Sequence, residues 1–131
     1  GRSGPPPAGS YKLGVKELER AIKTEKKGKF KKAKIKYEKA LEYLLEANAE
    51  DPANPDIFNY LGITNTKLGF VENAEIYYLL GLELDNDHKS IKFNLGVFYH
   101  SENRKKKVEE ILKSLKNCGC KEYNQLKSLI N

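Results

Sequence analysis

The sequence predicts an all-α protein, a stack of about three antiparallel helix pairs closed by a C-terminal capping helix. Three observations carry this. Apolar residues recur at helical spacing and not in alternation. A pattern of small and bulky residues around 28–40 returns at 69–81, and another at 61–65 returns at 95–99. Proline, glycine and asparagine punctuate the chain where one helix should give way to the next.

The clearest unit is Asn59 to Leu84, with the turn just ahead of it. Ile57, Phe58, Leu61 and Leu68 share a helical face. Asn54-Pro55 suits the start of that helix, because asparagine accepts bonds from free amides and proline has no amide to leave unpaired. Gly69 suits its end, where a left-handed residue is needed. A second helix is expected from about Val71 to Leu84, with Val71, Ala74, Tyr78, Gly81 and Leu82 on one face. Gly62, Ala74 and Gly81 let two helices approach, and Leu61 and Tyr78 fill the space beside them. A glycine inside a helix costs about 1 kcal/mol relative to alanine, so two of them imply a packing reason.

The flanking pairs follow by offset. Leu61-Gly62 returns 34 residues later as Leu95-Gly96, and Asn65 as Tyr99. Ala74, Tyr78 and Gly81 correspond there to the larger Val108, Leu112 and Leu115, as for a helix meeting a terminal cap. Upstream, Gly28, Phe30, Ala33, Tyr37 and Ala40 match Gly69, Val71, Ala74, Tyr78 and Gly81 at an offset of 41. The extra seven residues equal about two turns. They predict that the second helix runs long, to about Ala49, and projects beyond its neighbours, before Pro52 and Pro55 stop it. A first helix is expected over Tyr11–Lys27, with Leu13, Val15, Leu18, Ala21 and Ile22 apolar. The tail Cys120–Ile130 places Tyr123, Leu126, Leu129 and Ile130 at helical spacing, as a cap over the last pair.

The expected division is residues 1–10 outside the fold and 11–131 within it. Repeats fall at about 11–51, 55–86 and 89–117, and the capping helix at about 120–130. GRSGPPPAGS has no apolar period and reads as a linker or a cloning remnant; a polyproline ligand for an SH3-type domain is the sharper alternative. No apolar run is long enough to cross a membrane.

The formal net charge is +6, and much of it lies in KKGKFKKAKIKYEK, residues 26–39. Lys29, Lys32 and Lys36 recur at helical spacing, on the side away from Phe30, Ala33, Tyr37 and Ala40, which are expected to face inward. A patch for RNA or an anionic surface is one reading. A solvated helix face is the preferred one. Lysine outnumbers arginine 21 to 3, whereas nucleic-acid readers lean on arginine forks. With Phe30 and Tyr37 assigned to the core, no aromatic remains to stack on bases.

Nothing in the chain has the pattern of a catalytic site, so no enzyme activity, metal or cofactor is expected. His88 and His100 have no companions at ligand spacing; His88 suits a capping or surface role, and His100 lies near a helix end. Phosphate-cradling loops, nucleophile elbows and zinc motifs are absent from the sequence. Cys118 and Cys120 frame Gly119. They read either as two free thiols of a reducing compartment or as a disulfide of an oxidising one, closing a tight ring.

Leu61-Gly62, Gly69, Val71, Ala74, Tyr78 and Gly81 resemble the consensus of the tetratricopeptide repeat (TPR), whose period is 34. Asn65 stands where that family usually has an aromatic, and Asn86 where it usually has proline. The resemblance implies a right-handed α-solenoid whose first helices line a concave groove. Mapped onto this chain, the groove positions are Leu18, Ile22 and Glu25, then Asn59, Ile63, Thr66 and Lys67, then Phe93, Asn94, Val97 and His100. Ile63, Phe93 and Val97 would hold apolar side chains of a peptide. Asn59, Lys67 and Asn94 would hold backbone or carboxylate groups, and about half of the set should be ordinary core. Of the residues with which some members clamp a peptide C-terminus, Asn94 alone has a counterpart. The implied function is a non-catalytic module for a protein or peptide partner, with self-association as a second use of exposed groove residues. Nucleic acid is disfavoured as a partner.

A narrower resemblance rests on Asn59-Tyr60-Leu61-Gly62, Lys67-Leu68-Gly69, Leu84-Asp85 with His88, and Cys118, Cys120, Glu122, Tyr123, Leu126 and Lys127. It is to small exported bacterial TPR proteins, covers roughly residues 30–130, and departs from them in its short cysteine gap. It implies a periplasmic or exported protein; a cytoplasmic one is the alternative.

Overall fold

The computed structural model describes residues 9–131, so the Pro-rich start of the expected linker lies outside the described residues. The described chain is seven helices and no strand: α1 (Ser10–Lys26), α2 (Phe30–Glu50), α3 (Pro55–Leu68), α4 (Val71–Leu84), α5 (Lys89–Ser101), α6 (Lys105–Leu115) and α7 (Lys121–Ile130). The fold is an all-α helical solenoid. Helix α1 begins inside the stretch assigned to the linker, and Ser10 is buried.

Local chemistry sets the helix limits. Asn54 caps α3 through its side-chain oxygen, which accepts from the Asp56 amide at 2.9 Å, with Pro55 in the first turn. The same place one repeat later is His88, whose Nδ1 accepts from the Ile91 amide at 3.1 Å. The turn after α3 passes through Gly69 at φ +82°, a left-handed conformation that favours glycine. After α5 the turn residue is Asn103 at φ +57°, and asparagine tolerates that region better than most side chains.

Close approach explains the glycine inside α3. A Cβ on Gly62 would sit 2.3 Å from the Tyr78 ring, so the α3–α4 pair packs on bare backbone. Gly81 performs the same service between repeats, where Ile91 of α5 would meet an added Cβ at 2.5 Å. In the first pair, α2 has 21 residues against 14 in α4. Its extra turns do not project alone. Gly14 of α1 packs against Leu44 and Tyr43, so the start of α1 and the end of α2 are extended together.

Buried apolar residues form three clusters along the stack. Leu18, Ala21, Ala33, Tyr37 and Ala40 hold α1 to α2. Leu44, Ala47, Ile57, Phe58 and Leu61 join α2 to α3. Ala74, Tyr78, Ile91, Leu95, Phe98, Tyr99 and Val108 run through α4, α5 and α6. Leu126 of α7 is fully buried against Gly96 and covers the middle of α5. Helix α4 is apolar on more than its inner face, and leaves Ile76, Leu79, Leu80 and Leu84 exposed.

Candidate functional site

Direct contacts show which way the stack bends. Among the described residues α1 touches α3 and α3 touches α5, whereas α2, α4 and α6 do not touch one another. The first helices of the pairs are therefore the closely spaced layer, and their outward side is the concave face.

Three equivalent rungs cross this face. Ile22, Ile63 and Val97 are each half-buried. Ile63 packs against two of the apolar clusters, and Ile22 against one, so both are largely core. Leu18 and Asn59 are buried, while Phe93 at the same rung remains half-exposed. Glu25 and Thr66 are half-buried and His100 is exposed.

Hydrogen bonding then sorts the polar members. Asn94 Nδ2 donates to Asn59 Oδ1 at 3.0 Å, which joins α5 to α3 on the face. The Thr66 hydroxyl donates to the Gly62 carbonyl at 2.8 Å and is engaged in its own helix. Glu25 accepts from the Tyr37 hydroxyl and pairs with Lys67 at 3.8 Å. That ion pair is more than a third exposed on both sides, so it is worth little. What remains available is Phe93 and Val97, with the free oxygen of Asn94 beside them and Lys67 and His100 toward one end. His100 also borders a shallow cavity of about 210 Å³ with Arg104, Lys105, Val108 and Ile130.

Several neighbouring residues escaped sequence reading. Tyr11 and Tyr60 meet edge to face with ring centres 5.9 Å apart, at the end of the face remote from His100. Burial first, then Tyr60 and Asp56, push the Tyr11 hydroxyl above its ordinary value. Asp56 also meets His88 Nε2 at 2.7 Å. Since Nδ1 of His88 accepts from Ile91, Nε2 carries the proton that Asp56 takes in hydrogen bonding. His88 itself takes the capping role expected from its place in the turn before a helix, and it stands 34 residues after the cap Asn54. A second cluster ties α4 to α5 and to the turn beyond it. Tyr99 donates to Glu75 at 2.7 Å and Arg104 donates to it at 2.9 Å, with the guanidinium 4.7 Å from the Tyr99 ring centre. Burial would raise the Glu75 carboxyl, but the Arg104 and Tyr99 bonds and the charges of Arg104 and Lys107 hold it below its ordinary value.

The lysine face differs from expectation in one residue. Lys29 and Lys32 are exposed and Lys36 is half-buried, but Phe30 does not face inward: it is 69% exposed. It is the first residue of α2, left uncovered at the helix start, and its ring borders a shallow cavity of about 320 Å³ with Lys34, Tyr37 and Lys67. Val71, its counterpart in α4, is exposed for the same reason. At the other end of the chain, Cys118 and Cys120 are paired as a disulfide across Gly119. No group of three or more His, Cys, Asp or Glu that could hold a metal ion occurs among the described residues.

No family model and no curated protein matches the sequence. Solved structures do match the fold. One is the NMR structure of the second TPR domain of human RPAP3 in complex with the HSP70 peptide SGPTIEEVD. It superposes with a TM-score of 0.62 at 21% identity, over 93% of this chain and 98% of that one. At that identity the likeness is one of fold, and the fold it describes is TPR-like.

Proposed function

We propose that the protein is a non-catalytic interaction module that holds a peptide segment of another protein on the concave face of α3 and α5. The observation that carries the reading is the pair Phe93 and Val97. They lie one turn apart, half-exposed, outside all three apolar clusters, beside the Asn59–Asn94 bond. Apolar side chains of a bound segment would cover Phe93 and Val97. The free Asn94 oxygen would accept from its backbone amides, and Lys67 would take a carboxylate. That a similarly folded RPAP3 domain was solved with a peptide supports this ligand class.

The test is a pull-down from source extract at low and high salt, followed by binding of the recovered segment to purified protein. The control is the Phe93→Glu/Val97→Glu double variant. Ile63 is left unchanged, because a charge there would disrupt two core clusters. Binding that survives high salt and is lost in the variant supports the groove. Binding unaffected by the variant refutes it.

A second reading is favoured by the exposed Phe30 and Ile35 among Lys29, Lys31, Lys32 and Lys34. An aromatic ring beside lysines suits RNA or another anionic surface. Such binding weakens steeply with salt and is lost in Phe30→Ala. Export is supported by the Cys118–Cys120 disulfide, since such bonds persist in oxidising compartments. Self-association, if present in sedimentation, is assigned to the outward strip of α4 and should be abolished by Leu80→Glu.

A further inference from the structure

We propose that the outward face of α4 is the contact between two copies of this chain, related by a two-fold axis, with the two α4 helices crossing antiparallel. The strip Ile76, Leu79, Leu80 and Glu83 runs at i, i+3, i+4 and i+7, on the side of the helix opposite the buried Ala74, Tyr78 and Gly81. Ile76 is 53% exposed, and Leu84 beside the strip is 47% exposed.

The repeats supply their own reference for that strip. The places of Ile76, Leu79 and Leu80 are taken by Ile35, Glu38 and Lys39 in α2, and by Glu110, Lys113 and Ser114 in α6, all of them exposed. The fold therefore accepts polar residues twice where α4 has its leucine pair, and does not itself require leucine there. Among the described residues α4 touches only α3 and α5, so its outer side is uncovered. It is also the middle helix of the convex layer, the one that another molecule meets first.

Charge identifies the occupant. From Leu68 to His88 the chain holds Glu72, Glu75, Glu83, Asp85 and Asp87 and no lysine or arginine, within a protein of net charge +6. Glu75 is met by Arg104 of its own chain. Glu72 and Glu83, at the two ends of the strip, enter no ion pair among the described residues, and neither do Lys31, Lys32 and Lys113 on the flanking helices. In strict antiparallel register Glu72 would face Glu83 of the second copy and repel it. A crossing removes that conflict. Half of the 14-residue α4 is about 10 Å long. At a crossing of about 50° each end lies about 8 Å to the side, close to the spacing of packed helices. One hand of crossing carries Glu83 over Lys31 and Lys32 of the second copy and Glu72 over its Lys113. The other hand carries Glu72 over the acidic end of α2 at Glu46. Charge complementarity selects the first hand. Such a contact is self-complementary and closes at two copies. The concave faces then point away from each other, and the dimer carries two grooves; that consequence rests on the concave-face reading above, whereas the dimer does not.

The experiment is sedimentation equilibrium of the full chain from roughly 10 to 500 µM, since a strip of this size gives a weak contact. A monomer–dimer equilibrium with a Kd in the micromolar range is expected. Leu80→Glu should weaken it more than about tenfold. Glu83→Lys and Lys32→Glu, both at exposed positions, should each weaken it about threefold or more, and the two combined should recover most of the loss. Phe93→Glu/Val97→Glu, on the concave face, should leave it unchanged, which separates this proposal from the peptide reading. A monomer at every concentration, a dimer that Leu80→Glu leaves intact, or growth beyond two copies would overturn it. So would a dimer lost in Phe93→Glu/Val97→Glu, or a charge-swapped pair that shows no recovery.

Discussion

Gly62→Ala probes the packing on which the stack depends. The added methyl would lie 2.3, 2.5 and 2.7 Å from three atoms of the Tyr78 ring. That ring is 2% exposed and wedged in the largest apolar cluster, so it has no free volume into which to turn. Overpacking of this kind costs about 1–3 kcal/mol, and alanine returns about 1 kcal/mol through helix propensity. Because the clash involves a ring and not a flexible tip, the upper part of the range applies, for a net loss of about 1–2 kcal/mol. At about 3–5 °C per kcal/mol for a chain of this size, Tm should fall by roughly 3–10 °C. Gly81→Ala is the internal control. Its nearest contact is the end methyl of Ile91 at 2.5 Å, which can rotate, and its next is Phe58 Cβ at 3.3 Å. Its Tm should change far less. Calorimetry of both variants decides. A Gly62→Ala protein as stable as the parent, or less perturbed than Gly81→Ala, would refute the packing argument.

Three further outcomes follow. Glu75 is held below its ordinary value of 4.5 in the fold. Its stabilisation is therefore full above that value and is lost as pH falls through the lowered one. In urea titrations Glu75→Gln should cost stability at neutral pH and progressively less in acid; an equal cost at all pH would exclude the linkage. Asn48 has a buried side-chain oxygen without a partner in the extended end of α2, so Asn48→Ala should raise stability by about 1 kcal/mol in the same assay. A loss of stability would show a bond to water there. Alkylation of the native protein should add no label to Cys118 or Cys120 until a reductant is supplied, as mass spectrometry would record. Immediate labelling of both would show free thiols.

The sequence displayed what depends on one helix or one turn. Asn54-Pro55 and Gly69 carry their roles locally, since each is the residue type its backbone position requires, and Gly62 and Gly81 signal a close helix approach because glycine is otherwise unfavourable inside a helix. The long α2 was legible as a change of offset from 34 to 41. Its packing partner, Gly14 of α1 against Leu44, was not, because periodicity gives the face of a helix and not which residues of a neighbour it meets. Phe30 was misplaced for a related reason. Periodicity gives the face of a helix but not whether a neighbour reaches its first residue. The site was legible as positions and not as states. Asn59 and Asn94 satisfy each other, Thr66 turns into its own helix, and Ile63 belongs to the core. These outcomes depend on helix spacing across the stack, which no single repeat encodes.

The central proposal is that a peptide lies on the concave face at Phe93 and Val97. The most direct measurement is ¹⁵N shift mapping of the labelled chain with the partner segment recovered from extract. Perturbation concentrated at Asn59, Ile63, Phe93, Asn94 and Val97, and absent from the Phe93→Glu/Val97→Glu variant, is the predicted result. Perturbation confined to Lys29–Lys36 and Phe30, and removed by salt, would contradict it and assign the function to the lysine face.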